Sequence, residues 1–359
     1  MTTLISFNNE MVLLGRQLRR VTQGELASAI NITQGHLSKI EHGLTEPSEA
    51  VIEQISKELN LPRGFFFRKG RIYGLPISIQ YRKKATAGQH SLDYINALFN
   101  THVLNLTALL TSVELKNEFE IPKLDIYEYK GNIEKIADSV RRNWLLPKGP
   151  IKNLTESLEQ AGCIVIWCDL SNIPVYGLSF VPGKHPCIFL NKNQPADKMR
   201  FTLAHELGHL VMHSVPNSEM EKEADQFASA FLMPFDDIRK DLIGRVSLPR
   251  IASLKPLWRV SMQSLLVRAK AIGVISETQS RYLWQQISSL GLRMHEPPEL
   301  DFDYEAPTLL ESIFKIHMDN LGYSIDEIAD MIKLHKSDLL NMYPFLEKKK
   351  GHLRLINNN

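Results

Sequence analysis

The run His205-Glu206-Leu207-Gly208-His209, set in a helical stretch from about Ala196 to His213, constrains this chain more than any other feature. Chance placement at this composition gives about 0.03 such His-Glu-x-x-His matches per chain. Two histidines four apart sit one turn apart on one helix face, so their imidazoles can meet a single tetrahedral Zn²⁺. Two ligands do not close a site. The fold must therefore bring a second element alongside this helix.

The next segment supplies that element. After a loop at 214–218, Glu219 to Leu232 reads as a helix with Phe227, Ala228, Phe231 and Leu232 inward. Two antiparallel helices joined this way put His209 level with the first turn of the second helix, where Glu221 lies. Asp225 follows one turn later on the same face and is suited to orient a ligating imidazole. Glu219 and Glu223 are alternative ligands, but Glu223 points about 200° around the helix from Glu221. Glu221 is preferred because it shares a face with Asp225. Glu206 is the expected catalytic residue, a general base acting on a water whose pKa the ion lowers. His213 shares the face of His205 and His209, and it is expected to line the cleft or solvate the helix end. A longer metal-binding spacing would need a third histidine at 215, which is Val215.

Upstream, the pattern changes period. Cys163 to Trp167, Val175 to Val181 and Cys187 to Leu190 are short apolar runs bounded by Asn, Pro and Gly, and they predict a small sheet. Helices are expected at 92–118, at 132–144 and from Ile151 to Gly162. The fold class is mainly α with a small β-sheet (α+β).

The N-terminal residues predict short helices separated by turns. Met11, Leu14 and Leu18 line one face, and Thr22-Gln23-Gly24-Glu25 has the form of a capping box. Leu26, Ala27 and Ile30 form the buried stripe that follows. Asn31 tolerates the left-handed turn a tight helix junction needs. A second helix starts at Thr33 with Leu37 and Ile40 inward, and Gly43 stops it. The segment TQGELASAINITQGHLSKIEHGLT, Thr22 to Thr45, resembles the Cro/repressor helix-turn-helix family. The resemblance implies that the helix from Thr33 enters the major groove of double-stranded operator DNA. Gln34, Gly35, His36, Ser38 and Lys39 would then be exposed to it, with Gln23 meeting the backbone. From Leu59 to Leu92 there is no Asp or Glu, while Arg63, Arg68, Lys69, Arg71, Arg82, Lys83 and Lys84 all fall there. That span is either a solvated connector or a basic arm that touches phosphates.

A second resemblance joins the metal motif to its surroundings. Arg200 to His209, then Glu221-x-x-Ala224-Asp225-x-Phe227-Ala228 and Leu232-Met233-Pro234, resembles the ImmA/IrrE family of metallopeptidases, as do Asn143-Trp144 and Pro150-Ile151 before a strand. It implies a reduced thermolysin-like zinc fold that makes limited cuts in a helix-turn-helix repressor. The interval before Glu221 is short for that pattern. Tyr176, His185, His213 and Arg259 are candidates for stabilising the tetrahedral oxyanion.

Five regions follow: 1–70, a helix-turn-helix domain; 71–128, a basic linker and long helix; 129–240, the zinc domain; 241–295, a helical extension; and 300–347, a small C-terminal helical unit. Residues 260–264 could cap a helix in a winged or helix-turn-helix arrangement or simply pack, Glu296 to Glu299 marks a linker, and Ser324 to Glu327 starts a helix faintly like another helix-turn-helix half. No stretch approaches the roughly 18 uncharged apolar residues of a membrane helix, and the first residues lack a signal-peptide pattern. No membrane partner is expected. Cys163, Cys168 and Cys187 suit buried positions in a reducing compartment, so the cytoplasm is the expected location. A DNA-binding homodimer is expected that cuts a repressor protein or its own segment from Arg68 to Lys84. The competing expectation is a repressor or antitoxin-like protein whose zinc domain senses without turnover.

Overall fold

The computed structural model describes residues 6–74, 88–170, 173–215 and 217–347. Arg82, Lys83, Lys84 and the tail from Lys348 to Lys350 lie outside the described residues, as does most of the candidate self-cleavage segment. The chain divides into two compact units. Of the described residues, the first is built from 6–74, 88–114 and 311–347, the second from 115–310.

In the first unit, α1 (Glu10–Leu18), α2 (Gln23–Ala29), α3 (Gln34–Glu41) and α4 (Glu49–Glu58) surround Met11, Leu14, Leu26, Leu37, Ile40 and Ile55, all fully or nearly fully buried. The expected capping box is present: Thr22 accepts from the Glu25 amide while the Glu25 carboxylate accepts from the Thr22 amide. Such a cap is worth about 1 kcal/mol. Asn31 takes φ 56° and Gly43 φ 69°, the left-handed turns that the sequence requires. Buried Glu41 accepts a forked pair of bonds from Arg16 and another from Gln23, which locks α1, α2 and α3 together.

The long helix α5 (Gln89–Leu109) belongs to this unit and packs on α1. It stops short of the expected 118, and the Glu118 and Phe119 amides instead donate to the Gln160 carbonyl. The sequence boundaries 71–128 and 300–347 therefore cut across a compact unit. The reason is a buried polar face on α5, where His102 and Asn105 bond to the Tyr343 hydroxyl at 3.0 and 3.1 Å. Burial pushes the His102 pKa down to about 3, so the ring is neutral.

In the second unit, α6 (Ile133–Asn143) and α7 (Leu154–Gln160) precede a three-stranded sheet of β1 (Ile164–Cys168), β2 (Gly177–Phe180) and β3 (Cys187–Asn191), ordered β1-β3-β2. The β1–β3 pair is parallel with Ile164 opposite Cys187, and β2 runs antiparallel to β3 with Gly177 opposite Leu190. Nearly every strand residue is buried, which fits their continuous apolar runs. Helices α8 (Ala196–Met212) and α9 (Met220–Leu232) pack against each other, and α8 also lies on β2 and β3. Then come α10 (Phe235–Asp241), α11 (Leu248–Trp258), α12 (Met262–Ala271) and α13 (Glu277–Ser289), sharing one apolar core with α6 to α9. The three cysteines are buried and unbridged, as expected, and burial pushes Cys168 and Cys187 up to about 12. From Leu309 the chain forms α14 (Leu309–Lys315), continued by a π turn at Ile316–Asn320, then α15 (Ile325–Met331) and α16 (Lys336–Met342). Among the described residues no helix is long and apolar enough to cross a membrane.

Candidate metal centre and nucleic-acid interface

Close packing of α8 and α9 sets up the centre. Gly208, inside the His-Glu-x-x-His run, has no Cβ, and one placed there would sit 3.1 Å from Phe227 and 3.3 Å from the Ala224 Cα. Its absence lets the helices approach, which brings Glu221 across to His205 and His209. The His205 and His209 Nε2 atoms lie 3.0 Å apart, with Glu221 oxygens 3.6 Å from the first and 3.3 Å from the second. A tetrahedral zinc with bonds near 2.0–2.1 Å separates its donors by about 3.3 Å, so the triangle fits such an ion. These three are the group able to hold a metal among the described residues.

The second nitrogen of each imidazole is already engaged. His205 Nδ1 bonds to Asp225 at 2.7 Å, and His209 Nδ1 lies 2.8 Å from His213 Nδ1. His213 in turn bonds to Glu223 through Nε2 at 3.0 Å. With both Nδ1 atoms engaged elsewhere, the two Nε2 atoms are left directed at one point, as joint ligation of a cation requires. Asp225 therefore sits where the helix periodicity put it. Glu223 serves His213 rather than the triangle, and burial, ahead of the neighbouring His209, lowers the His213 pKa.

Glu206 is 1% exposed, and its Oε2 accepts a bond from the Ser179 hydroxyl at 2.7 Å. Sequence reasoning did not single out Ser179. A signal existed two residues earlier, at Gly177, where a Cβ would meet Thr202 at 2.6 Å and Glu206 at 3.3 Å. Glycine lets β2 press onto α8, and Ser179 then reaches the carboxylate. Of the oxyanion candidates, Arg259 donates to the carbonyls of Lys152 and Asp303 and is taken up there. Tyr176 is half exposed, with Lys198 over its ring at 3.4 Å. His185, whose pKa burial lowers, is not part of the triangle. Beside Asp225 a cavity of about 860 Å³ opens, bounded by Phe201, Trp284 and the Arg268–Glu134 ion pair.

On the candidate DNA face, α3 begins at Gln34 after the Thr33 cap, and Gln34, Gly35, His36 and Lys39 are exposed with Ser38 half-buried. Gln34 donates to Gln23 at 3.3 Å, and Gln23 itself reaches Glu41. That bond holds the Gln34 amide beside the start of α2.

No curated protein matches the chain. The crystal structure of Bacillus thuringiensis PlcR in complex with the peptide PapR7 and DNA aligns over 94% of this chain and 96% of that chain at 13% identity. Its TM-score is 0.16, too low to bear on the fold. The family models are the informative matches, one for helix-turn-helix at 15–66 and one for the IrrE N-terminal-like domain at 158–270. This chain therefore joins an XRE-type helix-turn-helix domain to an ImmA/IrrE-like domain of the metallopeptidase class.

Proposed function

We propose that this protein is a DNA-binding regulator whose zinc endopeptidase domain makes limited cuts in a helix-turn-helix repressor, or in its own chain, to switch gene expression. The observation that carries the reading is the donor triangle of His205, His209 and Glu221 on the same helix pair as the buried carboxylate of Glu206. Those three residues would hold Zn²⁺, with Asp225 fixing the His205 ring. When bound, the ion supplies Lewis acidity that brings a water's pKa towards neutrality.

The remaining work belongs to the chain. Glu206, oriented by the Ser179 hydroxyl, accepts a proton from the attacking water and delivers it to the departing amide nitrogen. β2 is an edge strand, so an extended peptide can add beside it through main-chain hydrogen bonds, whereas a folded helix cannot. This restricts the substrate to a flexible segment. Operator recognition falls to Gln34, Gly35, His36, Ser38 and Lys39 with Gln23, and a homodimer on two half-sites supplies the contact area one module lacks.

A second reading is favoured by the cavity beside Asp225. A small effector there would touch the residue that orients His205, making the zinc domain a sensor without turnover. One experiment separates the two: the zinc-loaded protein and its Glu206→Gln variant are incubated with a co-encoded repressor, and fragments are mapped by mass. The variant should keep one zinc per chain and lose all cleavage. Equal cutting by both removes Glu206 from its role, and no cutting by either selects the sensor.

A further inference from the structure

Residues 313–342 repeat the first helix-turn-helix at a constant offset of 302. The Thr22 and Glu25 capping box recurs as Ser324 and Glu327, with the same two reciprocal bonds. The buried residues Leu26, Ala27, Ile30 and Leu37 correspond to Ile328, Ala329, Ile332 and Leu339, also buried. In the preceding helix, Met11 and Val12 correspond to Ile313 and Phe314, all four fully buried. The turns match as well: Asn31 and Lys333 both take φ 56°, while Arg20 at 58° corresponds to Gly322 at 75°. Even the junction bond is kept, Ile32 to Ala27 and Leu334 to Ala329, each at 3.0 Å. A connector of the same length with the same left-handed residues is a three-helix arrangement, more than two helices that happen to touch.

The copies differ in charge and in what the third helix meets. Residues 22–40 hold one carboxylate, Glu25, and one lysine, Lys39, whereas 324–342 hold Asp326, Glu327, Asp330 and Asp338 against Lys333 and Lys336. Two of these acids pair with the lysines, Asp330 with Lys333 and Asp326 with Lys336, and the excess of carboxylates over lysines in the segment disfavours phosphates. Asp338 occupies the place of the exposed His36, yet it is turned inward. Its two oxygens take a fork from Arg19 at 2.8 and 2.7 Å, and Arg19 also donates to the carbonyls of Leu59 and Asn60 at the end of α4, each at 2.8 Å. Those carbonyls are orphan helix-end acceptors, so one guanidinium caps α4 and binds α16 at once. The Lys333 stem lies on Gly64, where a Cβ would come within 2.9 Å.

We propose that residues 313–342 are a second helix-turn-helix that serves as a protein-docking unit, binding the first domain in cis with the helix that the first copy turns to DNA. Its partner chemistry is an arginine fork set at the C-terminal ends of two helices. The α2–α3 surface of the first copy stays open, because Arg19, Leu59, Asn60 and Gly64 lie on other elements. The inference goes beyond the peptidase reading and does not depend on it.

The test uses the full chain in two arms. Asp338→Arg and Arg19→Asp, singly and together, are compared by limited proteolysis, following release of the C-terminal fragment by mass. Each single swap should speed release about tenfold, with the double variant back within about threefold of the original. Asp338→Asn, which keeps shape and loses charge, should give an intermediate rate and guards against a misfolded swap. In the second arm, binding to a 30-base-pair duplex of mixed sequence is measured across salt. Lys39→Glu should weaken it, and Lys336→Glu, at the place of Gln34, should leave it within about twofold. Unchanged release in both single swaps overturns the docking unit. A loss with Lys336→Glu as large as with Lys39→Glu makes the second copy a DNA reader and overturns the proposal too. Loss with neither removes the contrast between the two third helices and overturns the proposal as well.

Discussion

Two constellations on the second unit each gather three side chains around one point, and both draw on α8. At the C-terminal half of that helix, His205 and His209 converge with Glu221. At its start, buried Asp197 joins Glu296 and Asp301 around the Lys255 ammonium, at 3.0, 3.0 and 2.9 Å. Lys255 is 1% exposed. In the second cluster the protein supplies its own cation, and the network is closed. In the first, two imidazole Nε2 atoms and one carboxylate converge on a common point, a set matched to a metal ion. Burial alone does not mark a functional site; the sign and hydrogen-bond state of the convergent atoms do.

The largest expected effect comes from opening the closed cluster. Lys255→Met strands three carboxylates, two of them buried, and should cost about 3–5 kcal/mol in denaturant unfolding. Zinc binding by the surviving folded fraction should be unchanged. Burial by itself would lower the Lys255 pKa, but hydrogen bonds to Asp301, Glu296 and Asp197 carry it above the ordinary lysine value. A raised lysine pKa means the contribution is complete below about pH 10.4, its unfolded value, and fades only as pH rises through the higher folded one. Comparing the variant with the parent chain from pH 7 to 10 should therefore give a constant stability difference. A difference that shrinks within that window breaks the assignment.

Next in size is Asp225→Asn, which removes the charged partner of His205 at the metal centre. It should weaken zinc roughly 10–100-fold in a chelator competition while thermal unfolding without zinc hardly moves. Equal losses in both would make Asp225 a packing residue and erase the contrast between the clusters. The smallest effect is expected from Asp301→Asn, because that carboxylate is more than half exposed and its pairing is screened. About 0.2–1 kcal/mol is expected from urea unfolding. A cost approaching that of Lys255→Met would show the cluster acting as one unit.

How much of this was legible in the sequence follows from the distance over which each interaction acts. His205 and His209 sit one turn apart, Thr22 and Glu25 close a cap within four residues, and Asn31 marks its turn alone, so helix geometry reveals them. Glu221 and Asp225 needed one further step, the reversal of two consecutive helices. Ser179 stands 27 residues from Glu206 and reaches it only because Gly177 lets a strand settle on α8. Nothing in the local pattern separates the carboxylates that surround Lys255 from other surface acids. The composite first unit is hidden from local patterns for the same reason. Its defining bonds, Arg68 to Asn105 and His102 to Tyr343, span 37 and 241 residues.

The bond between Arg19 and Asp338 spans 319 residues, with the whole peptidase-like unit threaded between. On a ribosome adding about 5–20 residues per second, the first helix-turn-helix emerges tens of seconds before its docking partner has been made. Throughout that interval Arg19 has the Leu59 and Asn60 carbonyls but not the Asp338 carboxylate, and the polar stripe of α5 awaits Tyr343. A nascent or prematurely ended chain thus displays the first helix-turn-helix without the carboxylate that later holds Arg19. Synthesis itself becomes a timed stage at which that domain is a different molecule from the finished one.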